Sequence, residues 1–269
     1  MIGPFRCGGA SFKLDRCFKL MLPSILILVI SGCSFNKIND VTEEKSNSLE
    51  WLLPLAEPAA PAAPKGAVLL VHGINNTKEV MRPLAEAFRA QGYAAALLSL
   101  RGHQLSQSWP AGDMVSAWER DLNNATKEVT DRYPTVPTYG VGYSLGGGLL
   151  MRYLTQKTEP KFAKIALVSP ALFFTWKAKL LNVLLPLKLL GIPTLSMIPK
   201  EVRAHRWTPL EAYSATAQVA DEALQKENLA TIAQMEGIVV YDDEDELVDG
   251  SSIKEFCEQQ ALARWKCLN

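Results

Sequence analysis

Gly142-Tyr143-Ser144-Leu145-Gly146 fits the pattern G-x-S-x-G, with an extended apolar run, 138–141, before it and a helix-compatible stretch, 147–156, after it. Strand, serine, helix is the setting of a nucleophile elbow, a sharp turn that holds a serine hydroxyl above the end of a sheet. The glycines matter because so tight a turn leaves no room for β-carbons on either side of the serine. A helix behind the serine points its positive end at the hydroxyl and favours negative charge developing there. Glycine-rich turns are common, so the five residues alone are a weak signal; the strand and helix around them give it weight.

Working upstream, residues 50–55 read as a first strand and the Pro/Ala-rich 56–64 as a stiff connection. Residues 66–71 are a continuous apolar run of strand length that stops at His72-Gly73-Ile74-Asn75-Asn76. Pro83 suits the first turn of a helix with Leu84, Ala87 and Phe88 toward the sheet and Gly92 as its stop. Residues 93–100 form another buried strand, with Arg101-Gly102-His103 as the loop at its carboxyl end, where open sheets place their sites. Between Asp113, a candidate N-cap, and Arg132, the residues Val115, Trp118, Leu122, Ala125 and Val129 recur at helical spacing, so Trp118 reads as core. Pro134 closes that helix.

Downstream, 165–168 is a strand ending at Ser169-Pro170, and 237–241 is another, followed by the acidic run 242–248. Ser252 and Glu255 have capping-box spacing, with Ile253, Phe256 and Cys257 on one helix face. Strands and helices alternating in this way predict an α/β fold, a mostly parallel sheet with helices on both faces. Residues 171–228 break the rhythm. The leucine-rich 180–198, interrupted by Pro186 and Pro193, predicts several short helices that cap the site, touch lipid or form a second small core layer.

The 28 basic and 28 acidic residues balance, which speaks against a nucleic-acid partner. The cysteines, Cys7, Cys17, Cys33, Cys257 and Cys267, show no metal-ligand spacing, so no metal is expected. Cys257 and Cys267 either pair in an oxidising compartment or stay free. Lys13, Arg16 and Lys19 precede an apolar run, 20–30, too short to span a bilayer and suited to a signal peptide. It ends at Ile30-Ser31-Gly32-Cys33, which resembles the lipobox of bacterial lipoproteins, whose cysteine is lipidated; an ordinary secretory peptide is the alternative. The polar 34–48 suits a tether, and in that resemblance Ser34 permits sorting to the outer membrane. The expected organisation is a leader, 1–33; a tether and connection, 34–65; a core, 66–170; a helical cap insertion, 171–228; and the continuation of the core, 229–269.

Taken in order, Val71-His72-Gly73-Ile74, Leu100-Arg101-Gly102-His103, Trp118 with Asp121, Gly142 to Gly147 and Asp245-Glu246-Leu247-Val248 resemble the α/β-hydrolase superfamily. Within it the chain is similar to the serine carboxylesterase and monoacylglycerol lipase branch, grouped with the serine aminopeptidase-like hydrolases. The resemblance implies Ser144 as nucleophile, Asp245 as the acid that orients a base, and the backbone N–H groups of Ile74 and Leu145 as the oxyanion hole. Asp242 is the second choice for the acid. It also implies a small hydrophobic ester substrate such as an acylglycerol, an acyl-enzyme intermediate, and no cofactor.

A serine hydroxyl must pass its proton to an imidazole, and the order in this fold is serine, acid, histidine. Here the sequence departs from the family, because no histidine follows Asp245. The family places one after a further strand beyond the helix near Ser252, so the fold is expected to lack its last strand, as a frameshift or premature stop would produce. His72, in the His-Gly turn, reads as structural; His103 and His205 are the other histidines present and the remaining candidates for a base. The competing expectation is a catalytically silent domain that binds a hydrophobic ligand or an envelope partner.

Overall fold

In chain order the elements are β1 (Glu50–Leu52), β2 (Ala67–Val71), a 3-10 turn (Lys78–Met81), α1 (Arg82–Ala90), β3 (Ala94–Leu98), α2 (Met114–Arg132), β4 (Thr138–Tyr143) and α3 (Leu145–Gln156). Then come β5 (Lys164–Val168), β6 (Pro193–Leu195), β7 (Trp207–Pro209), α4 (Leu210–Ala223), α5 (Lys226–Gln234), β8 (Glu236–Val240), α6 (Gly250–Gln259) and β9 (Trp265–Leu268). The computed structural model describes residues 49–54, 63–105, 107–156, 162–179, 193–196, 198–259 and 264–269. The leader with Cys33, most of the tether and the leucine-rich 180–192 lie outside the described residues.

Seven strands form one sheet in the order β1-β3-β2-β4-β5-β8-β9, parallel throughout except for β1, which runs antiparallel to β3. Every residue of β2 and β3 is buried, as strands covered on both faces require. Val68 and Leu70 pack on one face with Met81 and Ala85; Leu69 and Val71 pack on the other with Trp118, Leu122 and Leu149. The chain leaves β2 to one side for β3 and returns on its other side for β4. That reversal opens a crevice at the carboxyl ends of β2 and β4, where ligands bind in open α/β sheets.

Several expectations change. The inward side of α1 is Met81, Ala85 and Phe88, while Leu84 and Ala87 are exposed, because the 3-10 turn buries Met81 and so sets the rotation of the helix. The N-cap of α6 is Asp249, whose carboxylate accepts from Ser252 N–H (3.2 Å) and Ser252 Oγ (2.9 Å), so Ser252 sits inside the helix. The last strand, expected to be missing, is present: β9 pairs with β8 from Gly237↔Trp265 to Val240↔Leu268. Gly237 makes the seat for it, since a β-carbon there would lie 2.3 Å from the Trp265 ring, whose Nε1 donates to the Ile232 carbonyl (3.1 Å). The pair left open in the sequence is a disulfide, Cys257–Cys267, with its Cα atoms 6.4 Å apart, joining α6 to the edge strand.

The described part of 171–228 contains an antiparallel ribbon, β6 with β7, and the helix α4. That helix buries Leu210, Ala212, Ala215, Val219 and Ala223 against α3 and α2. Its small residues allow close approach, with a β-carbon on Gly148 falling 3.2 Å from Val219 Cγ1. This part of the segment packs as a layer of the core.

Candidate active site

Ser144 stands between the last residue of β4 and the first of α3 with φ at 51°, a left-handed conformation that is costly for a residue with a β-carbon. Neighbouring backbone holds it there. Its N–H donates to the Val168 carbonyl (2.9 Å), and its carbonyl accepts from Gly148 N–H (3.2 Å) and Ala171 N–H (3.0 Å). A β-carbon on Gly142 would lie 2.5 Å from the Gly146 carbonyl oxygen, and one on Gly146 would lie 2.2 Å from that of Val71. Both glycines are therefore obligatory, and the start of α3 is pressed onto the end of β2. The sharp turn read from the sequence is formed, with the serine at the amino end of a 12-residue helix whose first backbone N–H groups lack intrahelical acceptors.

The turn after β2 lies directly against that serine, because a β-carbon on Gly73 would be 3.1 Å from Ser144 Cβ. The turn closes through Asn76 N–H to the Gly73 carbonyl (3.2 Å), and Asn75 within it has φ at 52°. Ile74 follows Gly73 in this turn, and Leu145 follows Ser144 in the other.

His72 is fully buried; its Nε2 accepts from Leu100 N–H (3.1 Å), so the proton is on Nδ1, which donates to the Gly73 carbonyl (2.8 Å). Burial pushes its pKa down to about 4 despite the Gly73 bond. His103, also fully buried, donates from Nδ1 to the Arg101 carbonyl (3.0 Å), and its Nε2 has no hydrogen-bond partner among the described residues. Burial first, then the neighbouring His72 and His205, hold its pKa well below the ordinary histidine value. His205 donates from Nε2 to the Gly102 carbonyl (2.6 Å). The histidines gather around Trp109, with ring centroids 5.0 Å apart for His72 and His103, 4.9 Å for His103 and Trp109, and 5.3 Å for Trp109 and His205. None is hydrogen-bonded to Ser144 or Asp245 among the described residues.

Asp245 lies in the loop after β8, half-buried, with its Oδ1 accepting from Leu247 N–H (2.9 Å) and Val248 N–H (3.0 Å). It is close enough to Tyr143 to add to the upward shift of that phenol, which burial dominates. Asp242, the second choice, is exposed and accepts from Glu244 N–H (2.8 Å). The acid loop is tied to the segment after β5 by Thr175 N–H to the Leu247 carbonyl (3.0 Å) and Asp249 N–H to that of Phe173 (3.0 Å). Among the described residues no group of three or more His, Cys, Asp or Glu side chains is placed to hold a metal ion. A hollow of about 330 Å³ lined by Tyr133, Pro134, Val136 and Phe162 opens beside Thr138, at the opposite end of β4 from Ser144, and plays no part in the site.

A family model described as Serine aminopeptidase, S33, matches residues 62–264. The chain belongs to this family. It is 35% identical over 89 residues to the thermostable monoacylglycerol lipase of Bacillus sp. (strain H-257), a match that spans 33% of this chain and 34% of that enzyme. Among solved structures it is similar to a soluble variant of the monoglyceride lipase of Saccharomyces cerevisiae (TM-score 0.66, 14% identity, 86% of this chain and 83% of that one). The monoacylglycerol lipase of Paleococcus ferrophilus is similar too (TM-score 0.62, 14% identity, 83% and 88%). The fold of this S33 chain is the α/β-hydrolase fold.

The sequence marked Trp118 and Asp121 as a pair only through the family resemblance, without showing what they hold. Asp121 is fully buried in α2 and receives Arg101 N–H (2.8 Å) and Arg101 Nε (2.8 Å), while Trp118 Nε1 donates to the Arg101 carbonyl (3.2 Å). Trp118 is core, and with Asp121 it also grips the loop after β3; their i, i+3 spacing on a buried helix face was the available signal. Asn75 and Thr208 gave no signal, since nothing local announces a contact between them.

Proposed function

We propose that this chain hydrolyses carboxylic esters of small hydrophobic acyl compounds, with Ser144 as the nucleophile. The observation that carries the reading is Ser144 itself, held at φ 51° where β4 meets α3, with the Gly73 turn packed against its β-carbon. Ser144 Oγ would attack the ester carbonyl, and the oxygen that gains charge would be received by the Ile74 and Leu145 N–H groups. The serine proton would pass to the departing alkoxide, which leaves as the alcohol, and water would then hydrolyse the acyl-enzyme to the free acid and restore the Ser144 hydroxyl. Asp245 is the acid in this reading. The names of the relatives, monoacylglycerol and monoglyceride lipases, support an acylglycerol-like substrate. We also infer a lipid-anchored protein of the bacterial cell envelope, held at the outer membrane through Cys33. The Ile30-Ser31-Gly32-Cys33 pattern supports this, and a disulfide between Cys257 and Cys267 suits an oxidising compartment.

The test is covalent labelling by a fluorophosphonate, with a Ser144→Ala control and the adduct located by peptide mass. Labelling confined to Ser144 is the expected result. A second reading, a catalytically silent domain that binds a hydrophobic ligand, is favoured by one observation: the hydrogen bonds of His72, His103 and His205 all go elsewhere than Ser144. A folded chain that does not label would decide for it.

A further inference from the structure

The turn that presents Ile74 is fastened to a segment 130 residues further along the chain. Asn75 is 1% exposed and Thr208 is fully buried. Asn75 Nδ2 donates to the His205 carbonyl (2.8 Å) and to Thr208 Oγ1 (2.8 Å), and its Oδ1 accepts from His205 N–H (2.9 Å). The main chain adds Ala204 N–H to the Asn75 carbonyl (2.8 Å), Thr77 N–H to the Val202 carbonyl (2.7 Å) and a bridge between Asn76 and Arg203.

Two demands meet at this position. The backbone needs a positive φ, which glycine or asparagine tolerates best. The far segment offers a carbonyl, an N–H and a hydroxyl, and a short amide side chain can meet all three at once. A glycine would satisfy the turn alone, so the side chain serves the attachment to 202–208. An oxyanion hole works only when its donors are held where the charge develops, and a small displacement costs rate without unfolding anything.

We propose that Asn75 is a positioning residue that holds the Ile74 N–H against Ser144 through His205 and Thr208, so that the segment leading into β7 sets the geometry of the oxyanion hole. This rests on the ester-hydrolase reading. The experiment compares wild type, Asn75→Gly and Thr208→Val. Glycine keeps the positive φ and deletes the clamp; valine keeps the shape of Thr208 and removes one acceptor, so it tests the same idea if the glycine variant folds poorly. Each is scored by the fluorophosphonate labelling rate at Ser144 and by affinity for a trifluoromethyl ketone and the matching methyl ketone.

The fluorinated ketone becomes a tetrahedral oxyanion on the serine, and the methyl ketone binds as a trigonal carbonyl. Labelling is expected to slow about 10- to 100-fold in Asn75→Gly and about 3- to 10-fold in Thr208→Val. Trifluoromethyl ketone affinity is expected to fall in proportion, with methyl ketone affinity held within about twofold. Unchanged labelling in both folded variants overturns the proposal, as does an equal loss for both ketones, which would assign Asn75 to the shape of the pocket. A wild type that does not label overturns the proposed function itself, and the inference with it.

Discussion

Ser144 and Asn75 have almost the same backbone twist, φ 51° and 52°, in adjoining turns at one edge of the sheet, yet they are held there by different means. The serine turn is locked by its own neighbourhood. Gly142 and Gly146 leave the space, α3 follows at once, and Val168 on the adjacent strand takes the serine N–H. The asparagine turn is locked by partners at Val202, Ala204, His205 and Thr208, which reach it only because the chain returns across the carboxyl edge after β5. One turn is written in five consecutive residues. The other exists only once the fold is complete.

The largest test of that contrast is Gly142→Ala. Its methyl group would meet the Gly146 carbonyl oxygen, four residues on, at 2.5 Å, and rigid backbone cannot yield as a side chain would. Loss of about 3 kcal/mol or more is expected in urea unfolding, and a change below 1 kcal/mol would show that the serine turn is not locked locally.

Acid should act on the other turn. His72 joins the end of β2 to Leu100, and its folded pKa near 4 lies below the ordinary 6.5, so the unfolded chain binds the proton first. Stability is then complete above pH 6.5 and falls as the pH drops toward 4, by roughly 3 kcal/mol from this group alone. His103, shifted the same way, adds to the loss. Glu50, Glu79 and Asp249 have lowered pKa values and contribute only further into acid. Urea midpoints at pH 7.5, 6.5, 5.5 and 4.5 check this; a flat profile between pH 6.5 and 5 would mean the imidazoles are solvated.

The edge strand β9 is an intermediate case, fastened covalently across 10 residues. Replacing Cys257 and Cys267 together with serine should cost about 2.5 kcal/mol, read as a lower melting temperature that reductant no longer shifts. The smallest effects sharpen the comparison most. Asn75→Gly should destabilise by about 2 kcal/mol through lost hydrogen bonds, whereas Ser144→Gly should stabilise by about 0.5–1 kcal/mol by relieving the left-handed strain. The same substitution at the same φ would then have opposite signs, and equal signs in chemical denaturation would erase the distinction.

The α/β class, the strands at 66–71 and 93–100, and the helix opened by Asp113 were legible because burial on both faces forces continuous apolar runs and a cap needs a particular side chain. The rotation of α1 was not legible, since it follows from how a 3-10 turn seats Met81. The strand at Trp265–Leu268 was missed because its four residues carry little alternation, and what makes them a strand is a glycine and a cysteine elsewhere.

By itself the sequence determined the shape of the serine turn, because Gly142 must clear the Gly146 carbonyl four residues on, whereas the contacts of that turn with Val71 and Val168 came with the sheet. Tertiary structure alone decided that Asn75 meets His205 and Thr208, that Asp121 and Trp118 hold Arg101, and that the bonds of the histidines go elsewhere than Ser144. Those contacts join groups far apart in the chain, and only closure of the sheet brings them within hydrogen-bonding distance.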